Sequence, residues 1–302
     1  MIIRAQKNLL SVFAASLIML LLAGCASAPE SAAAAAPAEE PAAFLDPPDE
    51  KYETVIRRIP VLARETRYLS SGNPGMYTEF EYKPGTTVLI SSVTYDMAGS
   101  VYEKMEAEHR DSTIIMLYHD RQNALMQMKR ETYDSKGNLT ESVLFDNSAS
   151  QVSRSVYSFD DAGSRIKWEI YDSSDTLLAY NSYLYEEGLN VRTESFSPSG
   201  VLEEYYVSSF SSEGRKTETR SYNSAGRLLG RTVYTYEGDR PASEMRYRGE
   251  NILLGGKRYS FEETEKSLTE KIDILNRDGS VLETVEKKYI FIIEEEKRRV
   301  AE

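Results

Sequence analysis

The sequence predicts an all-β protein: an antiparallel meander of repeated β-hairpins forming an extended, twisted or curled sheet. Three observations carry that reading. An aromatic residue followed by a turn returns on a fixed beat, with Phe159, Tyr185, Phe210, Tyr236 and Phe261 spaced 26, 25, 26 and 25 residues apart. A second ladder, Phe145, Tyr171, Phe196, Tyr222 and Tyr247, keeps the same spacings and interleaves with the first. Between turns the aromatics alternate, as in Tyr183-x-Tyr185, Tyr234-x-Tyr236 and Tyr157-x-Phe159, which is the period of a strand. The unit is about 25.5 residues, two strands and two turns, and units of this kind stack on their own copies.

Each turn has a chemical reason. Asp, Ser or Asn follows the aromatic and bonds the backbone two residues on. A glycine three positions later supplies the positive φ that closes a four- or five-residue loop, a type I turn with a bulge. Asp175 stands in that place once and tolerates the left-handed region. Ala149 also stands there, and its copy is expected to be weak.

From the start of the chain, residues 1–24 read as an export signal. Arg4 and Lys7 precede an apolar run from Leu9 to Leu22, which is short for a bilayer span of about 20 residues. The run ends in Leu22-Ala23-Gly24-Cys25, which resembles the processing box of bacterial lipoproteins. That resemblance implies acylation of Cys25, the chain's single cysteine, and Ala26 after it favours sorting to the outer membrane. With one cysteine no disulfide within the chain is possible. Residues 25–50 then form a tether rich in Ala and Pro, whose six charges are all acidic. It should reach roughly 30–75 Å as a semi-stiff spacer.

Residues 51–293 are expected to be the β-repeat domain, irregular to about residue 130 and regular from 131. Thr54–Tyr68 reads as a first strand or a short helix, with Pro60 arguing against a helix interior. Turns then show at Tyr68–Gly72, Tyr82–Gly85 and Tyr95–Gly99. The beat is lost from Val101 to Leu125, where a helical insertion or a longer strand pair would fit. Residues 294–302 read as a charged tail. Lys216–Ser221 is polar on both alternations, so a lipid-facing barrel is not expected; the sheet should be exposed to water, with tyrosines covering one side.

The motifs now described resemble the YD-repeat (Rhs-type) sequences of bacterial surface and toxin-shell proteins. Tyr133-Asp134-Ser135-Lys136-Gly137-Asn138-Leu139 carries the likeness, as does Gly226-Arg227-Leu228 with Tyr234-Thr235-Tyr236-Glu237. The resemblance implies strand-turn architecture and covers about half the chain; neither a self-cleaving region nor a toxin segment matches. Together with the lipoprotein box, the pattern is similar to envelope lipoproteins of spirochaetes and related bacteria.

For function, two histidines and one cysteine leave little for a thiolate or imidazole metal site, and His109 and His119 read as ordinary surface residues. No nucleophile elbow, phosphate loop or zinc-protease signature is present, so a non-enzymatic protein is expected, with no cofactor beyond a covalent lipid on Cys25. Alternate turns of a meander fall on opposite edges. One edge should therefore gather Asp160, Asp161, Glu186, Glu187, Glu237, Asp239, Glu262 and Glu263 into a weak cation or partner rim. Arg165, Arg192, Arg215 and Arg240 follow the same turns and should neutralise much of it. Removing residues 1–24 takes the net charge from −12 to −14, which disfavours nucleic acid. The expected role is a lipid-anchored envelope protein presenting a β surface to a protein or glycan. The alternatives are an envelope assembly factor or carrier of an apolar ligand, and, third, a carbohydrate-active enzyme.

Overall fold

A computed structural model describes the backbone of residues 52–299 and the side chains of residues 54–295. The export signal, Cys25 and the tether lie outside the described residues. The strands are β1 (Tyr52–Leu69), β2 (Pro74–Tyr82), β3 (Leu89–Tyr95), β4 (Val101–Arg110), β5 (Thr113–Asp120) and β6 (Leu125–Tyr133). Then come β7 (Leu139–Asp146), β8 (Gln151–Phe159), β9 (Arg165–Tyr171), β10 (Leu177–Glu186), β11 (Leu189–Phe196) and β12 (Leu202–Phe210). The last six are β13 (Lys216–Asn223), β14 (Leu228–Glu237), β15 (Arg240–Arg248), β16 (Ile252–Glu263), β17 (Ser267–Leu275) and β18 (Val281–Arg299).

Every strand pairs antiparallel with the next, and β1 also pairs with β18 from Tyr52↔Arg299 to Leu69↔Glu283. The sheet is therefore a closed 18-stranded barrel, which corrects the expected open or curled sheet. Closure removes the two edges that an open meander would leave unpaired. The stretch without a beat is the strand pair β4–β5 and holds no helix, and Thr54–Tyr68 belongs to β1. Residues 294–299 belong to β18, so they are strand and not a charged tail. Past Arg64 and Ile290, β1 and β18 keep only each other as strand partners and leave the barrel as a two-stranded ribbon. Pro60 sits in that ribbon, where a missing N–H is tolerated.

The hairpin chemistry is as expected. Asp96, Asp120, Asp134, Asp146 and Asp172 each accept a hydrogen bond at 2.8–2.9 Å from the backbone N–H two residues on. Ala149 takes φ 60° and its turn is complete, with Asp146 N donating to Ser150 O at 2.9 Å. The weakness expected of that copy is thus strain in an intact turn.

Bulges do the rest. At the mouth opposite the ribbon, the returning strand slips register by one residue, as where Thr94↔Glu103 is followed by Tyr95↔Val101. The same slip occurs at Phe145↔Gln151, Tyr171↔Leu177, Phe196↔Leu202, Tyr222↔Leu228 and Tyr247↔Leu253. At the ribbon mouth the matching slips fall at Tyr133↔Leu139, Phe159↔Arg165, Phe210↔Lys216 and Tyr236↔Pro241. The two aromatic ladders therefore mark opposite ends of the barrel.

They also mark opposite faces. Following the register round the ring puts Tyr82, Tyr118, Tyr133, Tyr157, Tyr185, Tyr206, Tyr234, Tyr259 and Tyr289 on one alternation. Burial raises the pKa of each of these nine. Curvature crowds side chains on the concave face, so this is the lumen side. The exposed mid-strand charges Glu79, Glu106, Glu108, Lys271 and Lys288 lie on the other alternation, outside. The ladder of Tyr171, Phe196, Tyr222 and Tyr247 is also outside. The expectation that tyrosines cover one side thus holds for one set of them only.

The outer wall is laced with charge. Arg130 and Arg154 pair with Val143 across the neighbouring strands, both reach Glu141, at 3.5 and 3.6 Å, and Val143 between them is fully buried. Their aliphatic stems account for that burial. Glu218 bridges Arg220 and Arg231 at 2.8 and 3.0 Å, and Arg258 meets Asp273 at 2.8 Å. A mid-height band of this kind cannot face hydrocarbon. With strands about 4.8 Å apart and tilted 35–45°, a circular 18-stranded barrel has a backbone radius of roughly 17–19 Å. That leaves a lumen on the order of 20 Å across between tyrosine tips, too wide for side chains to fill.

Candidate functional site in the barrel lumen

The inner wall is a lattice of phenols on a floor of small hydroxyl residues, among them Ser92, Ser142, Ser155, Ser195, Thr219 and Thr232. Carboxylates are set into it, Glu65, Glu103 and Glu204 among them, and three others each sit with a lysine and a tyrosine. Glu131 accepts from Tyr133 Oη at 2.7 Å and pairs with Lys129. Glu270 accepts from Tyr289 Oη at 3.0 Å, with Lys287 Nζ at 3.9 Å. Glu244 takes Tyr259 Oη at 3.4 Å and Lys257 Nζ at 3.5 Å. Each is thus a Glu–Lys–Tyr group made by two-residue alternation or by direct cross-strand pairing. Glu131 and Glu270 are only 8% and 5% exposed.

The electrostatics keep these phenols protonated. Burial, and after it the neighbouring Glu, hold Tyr133, Tyr259 and Tyr289 well above the usual tyrosine range. Burial pushes Tyr118 and Tyr206 up to about 12. At neutral pH the wall therefore presents hydroxyl donors and aromatic faces, a surface for holding a polar chain.

The ribbon-mouth bulges send cations inward. Arg165 lies 4.9 Å over Tyr157 and 5.9 Å over Tyr183, and Tyr157 stacks on Trp168 at 6.1 Å. Arg165 Nε and Trp168 Nε1 are buried without a hydrogen-bond acceptor, in a cluster whose neighbours are ring faces. Lys216 sits 5.7 Å over Phe210, and burial lowers its pKa. Nearer the other mouth the wall thins over Gly230, leaving a depression of about 240 Å³ beside Tyr206, Thr232 and Arg246.

The acidic rim falls where the alternation of turns placed it. Asp160, Asp161, Glu186, Glu187, Glu237, Asp239, Glu262 and Glu263 all stand at or beside turns of the ribbon mouth. Among the described residues no three acidic, His or Cys side chains converge on a common point that could hold a metal. Asp160 closes its own turn through Ser164 N at 2.7 Å; Asp239 meets Arg215 at 3.3 Å; Glu263 pairs with Arg240 and lies 3.9 Å from Arg58. Arg215 and Arg240 thus each meet one rim carboxylate, Asp239 and Glu263. Arg165 does not, because the bulge turns it inward, and Arg192 lies on the outer wall with Glu194 at 2.8 Å. His109 and His119 sit at opposite ends of the barrel and on opposite faces. The Arg165–Tyr157–Trp168 cluster escaped sequence reasoning; the lone tryptophan beside a bulge position was its only signal.

No protein-family model matches the chain, and no curated protein sequence matches it. Among solved structures, a porin-like protein from Bacteroides uniformis aligns at 11% identity over 64% of this chain and 95% of that one, with a TM-score of 0.33. A TcdB2-TccC3-Cdc42 structure aligns at 11% identity over 75% of this chain and 15% of that one, TM-score 0.18. A TcdB2-TccC3 structure aligns at 9% over 68% and 18%, TM-score 0.17. None of the three superposes well enough to define a shared fold.

Proposed function

We propose that this chain is a non-enzymatic, lipid-anchored protein of the bacterial envelope, outer membrane included, whose barrel holds a polypeptide segment in its lumen. The anchor is the acyl chain on Cys25 implied by the sequence around it, with the Ala/Pro tether as spacer. One observation carries the binding role: the nine desolvated tyrosines face inward, whereas the outer wall spends its charges on one another. Tyrosine over a floor of serine and threonine is the composition of paratopes, which grip peptides with rigid rings and adaptable hydroxyls. Carriage of a wholly apolar ligand fits less well, because Glu131, Glu244 and Glu270 with their lysines interrupt the lining.

Adjacent residues offer the test. Tyr183 faces the lumen and Leu184 faces out. A benzophenone side chain placed at each position in cells and irradiated should give an adduct from position 183 and none from 184. The adduct should be cut by protease. No adduct from 183, or one from 184 alone, would overturn the reading, and an adduct cut by glycosidase would assign the lumen to glycan instead.

A further inference from the structure

The large apolar side chains left exposed are not scattered. Of the seventeen among the described residues, twelve lie at the mouth opposite the ribbon, at or within three residues of its turns. The bulges explain their placement. Where Tyr171 pairs with Leu177, the extra residue leaves both Leu177 and Leu178 on the outer alternation before Ala179 turns inward. The same doubling turns out Tyr102, Met126, Val152, Leu254 and Leu282. The result is an outward collar that runs round the barrel, interleaved with the outer aromatic ladder. Gly75 and Glu203 are its gaps. Exposed apolar residues gathered in one belt in this way differ from those scattered singly over a monomer's surface.

The two mouths differ in their turn tips as well. At the collar mouth most tips are small and neutral: Ser70–Gly72, Ser148–Ala149, Ser199–Gly200 and Ser224–Gly226. Its charged tips are Arg121, Asp175, Glu250 and the Arg277–Asp278 pair of neighbours, of which Asp175 is held by Arg154 at 2.9 Å and Glu250 by Arg220 at 3.1 Å. The ribbon mouth carries the acidic rim instead.

We propose that the collar mouth seats on a phospholipid bilayer, with the collar at the headgroup–acyl boundary and the charged wall in water. The geometry selects this occupant. A globular partner would cover one side of a ring, and a second copy set mouth to mouth would meet the turn tips and leave the outward collar wet. A fluid surface surrounds a cylinder on all sides. Aliphatic side chains interleaved with tyrosine and phenylalanine are also the composition of interfacial belts. The chain's net negative charge points to zwitterionic lipid. This inference does not depend on what the lumen holds.

All strands of the barrel lie in residues 52–299, within the compact unit Pro47–Glu302, so a chain beginning at Pro47 tests the collar without signal or anchor. That chain should float with phosphatidylcholine vesicles at both low and high salt. The double variant Leu178→Asp/Leu254→Asp should bind at least about tenfold more weakly, with its far-UV β signal unchanged. A conservative control, Leu178→Met/Leu254→Met, should bind normally. Failure of the Pro47 chain to float, or equal flotation of the Asp variant, would overturn the proposal. So would a dimer in light scattering that the Asp variant abolishes without any vesicle binding, which would make the occupant a second copy.

Discussion

Across β8 and β9 the rings of Tyr157 and Trp168 stack inside the barrel, centroids 6.1 Å apart and planes 18° from parallel. Tyr157 is only 6% exposed although the lumen is wide, because Trp168 and Arg165 cover it. Trp168 is the chain's single tryptophan, so its emission reports on the lumen without labelling. Its fluorescence should be blue-shifted and poorly quenched by iodide. Tyr157→Ala should raise iodide quenching and lower stability by about 2–4 kcal/mol in urea unfolding. An unchanged quenching constant would mean that the indole does not depend on Tyr157 for its cover.

Alkaline pH should open the barrel. A tyrosine whose pKa is raised in the fold keeps its proton longer than the unfolded chain does. Below pH 10, the ordinary tyrosine value, both states are protonated and stability is flat. From pH 10 to about 12, the value that burial gives Tyr118 and Tyr206, the unfolded state binds fewer protons, so stability falls as pH rises. The other inner phenols add in the same direction. Tyrosinate absorbance from the inner set should therefore appear late and together with the loss of far-UV β signal. Complete ionisation of all tyrosines in a chain still folded would contradict an inward, desolvated set.

Ala149 is the one alanine at positive φ among the described turns. Ala149→Gly should stabilise the protein by about 1 kcal/mol, since the left-handed penalty disappears at an exposed position. Gly163 occupies the equivalent place in a turn of the other mouth at φ 83°, and Gly163→Ala should cost a similar amount. Urea midpoints moving the other way in either variant would show that these turns do not hold their conformation in solution.

Much of this fold was legible in the sequence because the turns are local. Asp134, Gly137 and their counterparts act within five residues, and the beat they set gives strand direction and, from residue 131, strand spacing. Closure was not legible. It depends on β1 meeting β18 more than two hundred residues away, through strands that carry no turn motif and, in β1, a proline. The polar alternations of Lys216–Ser221 have a physical reason: Thr219 and Ser221 face a hollow interior, and Glu218 and Arg220 pair with each other outside. Both alternations of a strand can be polar when neither side of the wall is packed. The residues of the acidic rim share one mouth because that follows from the alternation of turns alone. The direction of Arg165 was not legible, because a one-residue bulge decides which way it points.

The ribbon made by β1 and β18 carries Tyr52 and Arg299 away from the same mouth. A load applied between those two residues would part the seam from its tip, breaking its hydrogen bonds one after another and never sharing the force among them. The seam is thus a zip with its slider at the ribbon, easily opened by traction between Tyr52 and Arg299, while heat or denaturant must first disrupt a ring that has no free edge.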